Sequence, residues 1–304
     1  MMMNESPFDL KAYLEKKRRV VDEALETCLP QTPIGPGSEV VTAMRYSLFA
    51  GGKRLRPILC IAGAEAVGGN EVDVLPAACA LEFIHTYSLI HDDLPAMDDD
   101  ELRRGKPTNH KVFGEALAVL AGDGLLTEAF HLLAARQPNE KIDPWVVLQV
   151  IRVIASAAGY EGMVGGQAAD IQFEGKTADI PAVEYIHTHK TAALIYASLI
   201  TGVMLAGGNP SQIEAMSVFG KKTGLAFQIS DDILDIEGET KAMGKQVGSD
   251  LQKGKATYPA VVGLDKAKDT QFRLIEEAVD VLEPFQERAL PLREIARYVI
   301  ERKK

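Results

Sequence analysis

Apolar residues in this chain recur with the spacing of a helix, and no convincing run alternates apolar with polar as a half-buried strand does. Leu117-Ala118-Val119-Leu120, Leu125-Leu126 and Leu132-Leu133 follow one such stripe, and Val146-Val147, Val150-Ile151 and Val153-Ile154 another. The fifteen prolines fall largely between these segments, Pro57, Pro76, Pro107, Pro144 and Pro210 among them, where a missing N–H and a fixed φ bound helices. No Ser/Gly/Pro-rich linker divides the 304 residues, and no repeat is evident. The expected architecture is all-α, a single large helical domain over residues 1–304. Hydrophobic residues make up 46%, enough for a sizeable core, which excludes a disordered or collagen-like chain.

The charge balance of 33 Lys+Arg against 43 Asp+Glu gives a net of -10, which disfavours nucleic acid or an anionic membrane as a partner through bulk electrostatics. Cys28, Cys60 and Cys79 form no C-x-x-C pair and fit neither a disulfide framework nor a zinc site. The basic run Lys16-Lys17-Arg18-Arg19 leads into Val20-Val21-Asp22-Glu23 rather than an apolar stretch, so no signal peptide is read and the expected location is the cytoplasm. Residues 191–213 carry no charge, but Ser198, Thr201 and Gly202 interrupt them and Gly207-Gly208-Asn209-Pro210 ends their apolar part. We read a central buried helix there, with no stable membrane insertion.

Two acidic motifs stand on otherwise apolar segments: Asp92-Asp93-Leu94-Pro95-Ala96-Met97-Asp98 and Asp231-Asp232-Ile233-Leu234-Asp235. On a helix, Asp231 and Asp235 share one face with Gln228, while Leu225, Phe227, Ile229 and Ile233 fill the rest. Such a helix is buried with its carboxylate stripe towards a cavity. Glu82, His85, Ser88 and Asp92 likewise follow helical spacing. Asp98 lies about 240° from Asp92 on an unbroken helix, so Pro95 is expected to break the helix and bring Asp98 round. Clustered carboxylates in apolar surroundings need neutralising partners, and an oxygen-only donor set with phosphate to complete the shell suits Mg²⁺ better than zinc.

Cations gather at Lys53, Arg54 and Arg56, at Arg103-Arg104, and at Lys245, Lys253 and Lys255 within a glycine-punctuated stretch. Arginine forks and lysine point charges suit phosphate oxygens. Taken together they point to two anionic groups, one bridged through metal and one held directly, with the glycine-rich stretch as a lid. The bland alternative for Arg103-Arg104 is a salt bridge to the neighbouring acids.

Gly51-Gly52-Lys53-Arg54-Leu55-Arg56-Pro57, the run from His85 to Asp98, Gly165-Gly166-Gln167-Ala168-Ala169-Asp170, Lys190-Thr191 and the run from Phe227 to Asp235 resemble, in order and over nearly the whole chain, the trans-prenyl diphosphate synthases, most closely the bacterial farnesyl branch. The resemblance implies an isoprenoid-synthase helical fold around a deep central cavity, usually as a homodimer. It implies that Asp92, Asp93, Asp98, Asp231, Asp232 and Asp235 hold Mg²⁺ on an allylic diphosphate. By the same likeness Lys53, Arg56, His85 and Arg104 grip isopentenyl diphosphate, and Arg103, Lys190, Lys245 and Lys255 contact the allylic diphosphate. Thr191 and Gln228 would place oxygen dipoles near a developing cation.

Within that family, bulk just before the first Asp motif limits the product tail, and here Tyr87 and Ser88 stand five and four residues before Asp92. This resembles the farnesyl pattern, with geranylgeranyl diphosphate as the alternative product. Simple helical geometry does not aim Tyr87 along the Asp92 face. From another class, the His91-Asp92 dipeptide suggests an HD-type metal-dependent phosphohydrolase, which leaves the second Asp motif unexplained.

Overall fold

The computed structural model describes residues 8–135, 141–237 and 255–301. Helix α1 (Leu10–Cys28) starts where Asp9 accepts the N–H of Ala12, and it buries Val21 and Leu25. Helices α2 (Ser38–Leu48) and α3 (Leu55–Ala66) lead to α4 (Glu71–Asp92), whose cap is Asn70 and whose first turn holds Glu71 and Asp73, where the helix dipole favours carboxylates. From Val74 to Tyr87 α4 is buried on nearly every side. That is why its sequence lacks a broad polar face. Pro76 corrects the expectation that prolines separate helices. It lies inside α4, close enough to the start that only the Val72 carbonyl loses its partner.

A two-stranded antiparallel ladder, β1 (Leu102–Arg103) with β2 (Lys106–Pro107), is an exception to the all-α expectation. Its turn residues Arg104 and Gly105 both have positive φ, as a tight hairpin turn requires. Next come α5 (Asn109–Phe113), α6 (Glu115–Ala134), α7 (Pro144–Ala158), α8 (Met163–Phe173) and α9 (Ile180–Ile186). A π-helical turn, His187–Ala192, then feeds α10 (Ala193–Leu205) and the long α11 (Pro210–Glu237). Beyond the undescribed residues lie α12 (Tyr258–Val262), α13 (Leu264–Asp280), a 3-10 turn (Glu283–Ala289) and α14 (Leu290–Glu301).

Among the described residues the fold is all-α apart from that ladder. α4 packs against α6 and α3, and α10 packs against α3, α11 and α7. As its uncharged sequence suggested, α10 is buried at nearly every position. By length and composition alone, two other stretches among the described residues, Glu115–Ala134 and Pro144–Phe173, are apolar enough to cross a membrane. The second is interrupted between α7 and α8.

Candidate active site

A cavity of about 810 Å³ opens between the start of α3 and helices α4, α8 and α11. The stripe of Glu82, His85, Ser88 and Asp92 on α4 lines it, with Tyr87 and His91 from the same helix. Lys53, Arg56 and Arg104 line it as well, as do Lys190, Thr191, Gln228 and Asp231. Leu55, Leu89, Met163, Val164, Ile171 and Phe227 make much of the remaining wall apolar.

The loop before α3 is riveted by Arg54, a residue to which sequence reasoning gave no separate role. Arg54 is buried with φ 53°, its Nε donates to Asp22 at 2.8 Å, and its Nη1 and Nη2 donate to Glu82 at 2.7 Å and the Leu48 carbonyl at 2.8 Å. All three bonds run to other helices, so the loop is fixed with Lys53 and Arg56 at the cavity. Arg56 is pulled down to about 10 by burial, partly offset by Glu82 and reinforced by Arg104. Its Nε and the second oxygen of Glu82 are buried without a hydrogen-bond partner. Burial, and then the cations Arg56, Arg104, Arg103 and Arg54, hold His85 well below its ordinary value, so its ring is neutral near pH 7. Arg104 donates to the Gly51 carbonyl. This cationic cluster is built to receive an anion.

The second cluster forms around Asp92. α4 ends at Asp92, and the Asp98 N–H donates to the Asp92 carbonyl at 2.9 Å, so the chain turns back as the Pro95 argument expected. Burial raises the Asp92 carboxyl to about 6, opposed by Lys190 and supported by Asp98. Lys190 and Thr191 reach the cavity from the π-helical turn, a local widening often found at functional sites. Gly166 permits this. A Cβ there would stand 2.1 Å from the Lys190 backbone nitrogen. Lys190 Nζ donates to Asp170 at 2.6 Å, a partner whose only signal in the sequence was its place in the Gly165–Asp170 motif.

Four of the six predicted metal ligands lie elsewhere than on the main cavity. Asp93 is buried and accepts from Arg103 Nε at 2.8 Å, and Arg103 also reaches Asp100 at 3.1 Å. The bland salt-bridge reading therefore holds for Arg103, and it removes both residues from the cavity wall. Asp98 pairs with Lys255 at 3.6 Å. Asp232, buried, accepts the Tyr258 N–H at 2.7 Å and lies 3.2 Å from His187 Nε2. It faces a smaller pocket of about 160 Å³ with Lys255, and Lys190, Thr191 and Gln228 line both spaces. Asp235 is buried. For Asp93 and Asp232 the reason is angular: neighbours on a helix point about 100° apart, so each turns away from the Asp92 or Asp231 beside it, whereas Asp235, expected on the Asp231 face, does not line the cavity either. Lys245, Lys253 and the glycine-punctuated stretch lie outside the described residues.

Among the described residues, no three His, Cys, Asp or Glu side chains form a group able to hold a metal ion. The donor chemistry still fits a hard divalent cation. Asp92 and Asp231 offer carboxylates to one cavity, and Mg²⁺ commonly takes one or two carboxylates and completes its shell with water and substrate phosphates. The HD-type arrangement does not fit, because it needs further His ligands gathered with His91 and Asp92 around one metal, and the described residues hold no such group.

The pattern of the polyprenyl synthetase family matches residues 38–291. The farnesyl diphosphate synthase of Geobacillus stearothermophilus is 51% identical over 269 residues, 88% of this chain and 90% of that protein. The chloroplastic large subunit 1 of the heterodimeric geranylgeranyl pyrophosphate synthase of Arabidopsis thaliana is 47% identical over 302 residues, 98% of this chain and 80% of that protein. Among solved structures, the geranylgeranyl pyrophosphate synthetase of Pyrococcus horikoshii superposes with a TM-score of 0.87 at 33% identity, covering 96% of this chain and 98% of that one.

Proposed function

The chain belongs to the polyprenyl synthetase family, and from that premise we propose that it condenses isopentenyl diphosphate with dimethylallyl and then geranyl diphosphate, stopping at farnesyl diphosphate. That it is a trans-prenyltransferase using isoprenoid diphosphates follows from the family. The product length is the new element, and one observation carries it: the buried Tyr87 ring lines the same cavity as Asp92 and Lys190. A C20 product is the competing reading, favoured by relatives named geranylgeranyl pyrophosphate synthase.

The two charge clusters divide the work. Lys53, Arg56 and Arg104, with the neutral His85 as a hydrogen-bonding group, take the diphosphate of isopentenyl diphosphate. Lys190 takes the allylic diphosphate, and Asp92 and Asp231 are the residues that would hold Mg²⁺. Bound Mg²⁺ would supply charge stabilisation for the departing diphosphate. Thr191 and Gln228 turn oxygen dipoles towards the allylic carbon as positive charge grows there. The isopentenyl double bond attacks that carbon, and a proton passes to the departing diphosphate, so no side-chain base is needed. Apolar walls keep out water that would trap the cation.

The working unit is a homodimer in the cytoplasm. Val119 and Leu120 on α6 and Trp145 and Leu148 on α7 expose apolar surface that a second copy would cover, and the three cysteines are free thiols. Light scattering tests the dimer. Incubation of the purified protein with isopentenyl diphosphate, Mg²⁺ and each allylic diphosphate in turn tests the reaction. A C15 main product supports the reading, a C20 main product overturns the length assignment, and no condensation overturns the whole.

A further inference from the structure

Tyr87 and His91 stand one turn apart on α4, and their rings meet edge to face, with centroids 5.6 Å apart and planes at 82°. Both rings line the main cavity. Among the described residues no hydrogen bond from another helix holds the Tyr87 ring, whereas one holds His91. Its Nε2 donates to the Val119 carbonyl on α6 at 3.0 Å, and because a carbonyl only accepts, that nitrogen carries the proton. The ring lies over Gly122, one turn further along α6, where an added Cβ would stand 2.1 Å from Nε2. A side chain at 122 would therefore push the His91 ring out of this position. The chain of contact runs from α6 through His91 to Tyr87.

We propose that His91 is a specificity-determining positioning residue: seated on Gly122 and tied to Val119, it props the Tyr87 ring across the cavity and so sets where the growing prenyl chain stops. The inference rests on the reading of Tyr87 as the limit to product length and adds what holds that limit in place. An aromatic ring on a helix swings between staggered rotamers unless a neighbour fills the space behind it. Removing the neighbour lets the ring move aside without deleting it. His91 and Tyr87 thus act as one unit, and a substitution on α6, a helix that contributes no side chain to the cavity wall, reaches product length through them.

The test uses the full-length enzyme and three variants, His91→Ala, Gly122→Ala and Tyr87→Ala, with dimethylallyl diphosphate, isopentenyl diphosphate and Mg²⁺. Product lengths are measured together with the rate of the first condensation. The proposal expects the ratio of longer to wild-type-length product to rise by about tenfold in His91→Ala and in Gly122→Ala, as pocket-size discrimination commonly allows. Gly122→Ala retains the His91 side chain, so it remains informative should His91→Ala fail to fold. A slower first condensation with an unchanged product distribution in both variants overturns the proposal. An unchanged distribution in Tyr87→Ala overturns it too, because nothing would then be propped. The wild-type product alone decides between C15 and C20, so failure of the length assignment is read separately from failure of the prop.

Discussion

The Asp232 carboxylate accepts the backbone N–H of Tyr258 at 2.7 Å and so ties α11 to the start of α12. Its neighbour Asp231 instead lines the main cavity. The second acidic motif is divided between structure and chemistry, and the two residues should respond differently to the same change. Asp231→Asn is expected to leave the melting temperature near wild type and to lower kcat/KM at least about a hundredfold, the scale of losing charge placed at the reacting group. Asp232→Asn is expected to destabilise by about 1–3 kcal/mol, the usual cost of weakening a buried charged hydrogen-bond network, with a smaller loss of activity. Thermal denaturation and steady-state kinetics on both variants check the split, and the reverse ranking contradicts it.

Asp92 carries a stability cost that its function explains. Its carboxyl is raised to about 6 by burial, so at pH 7 the folded state holds a carboxylate that the unfolded chain holds more comfortably. A raised acid pKa destabilises above that value and is relieved as pH falls through it. Asp92→Asn in the absence of metal is therefore expected to gain about 2 kcal/mol at pH 7 and to lose condensation activity. The gain should shrink between pH 7 and pH 5, measured by denaturant titration. A destabilised Asp92→Asn would mean that the carboxylate is satisfied within the protein.

His85 acts in the opposite sense. Burial and the surrounding arginines depress its folded value well below the unfolded one, so below about pH 6.5 the unfolded state takes up a proton that the folded state refuses. Wild-type stability should fall through that window as pH drops. His85→Gln, which does not titrate, should lose this part of the slope. Melting curves of both proteins between pH 5 and pH 8 test it, and parallel pH profiles would contradict the assignment.

Lys190 and Asp170 form a part-buried pair at 2.6 Å beside the π-helical turn. Lys190→Met should raise KM for the allylic diphosphate about 10-fold or more, the worth of one charge-assisted contact, while KM for isopentenyl diphosphate stays within about twofold. Equal rises in both constants would show that the two diphosphates do not occupy separate clusters.

How much of this could be read in the sequence depends on the range of the interaction. The Glu82, His85, Ser88 and Asp92 stripe was legible because helical spacing is local, and all four residues line the cavity. The return of Asp98 to Asp92 was legible because a proline has a local steric effect. The ladder at Leu102–Arg103 and Lys106–Pro107 was not, since two residues per strand are too few to show alternation. Nor was the burial of Lys17, which sits in a basic run that reads as solvated. Its ammonium is held by Glu65 and by Glu71 at 2.6 Å, both on other helices. The same holds for Asp93 and Asp232. Which carboxylate meets an arginine, a backbone N–H or the cavity is decided by how helices approach one another, and spacing along one helix does not contain that information.

The central claim is that one cavity joins two diphosphate substrates and that Tyr87 ends the chain. Product analysis of the wild type and Tyr87→Ala side by side, with dimethylallyl diphosphate, excess isopentenyl diphosphate and Mg²⁺, tests it most directly. The account predicts mainly C15 diphosphate from the wild type and longer products from the variant. The same product lengths from both proteins, or no condensation by the wild type, would contradict it.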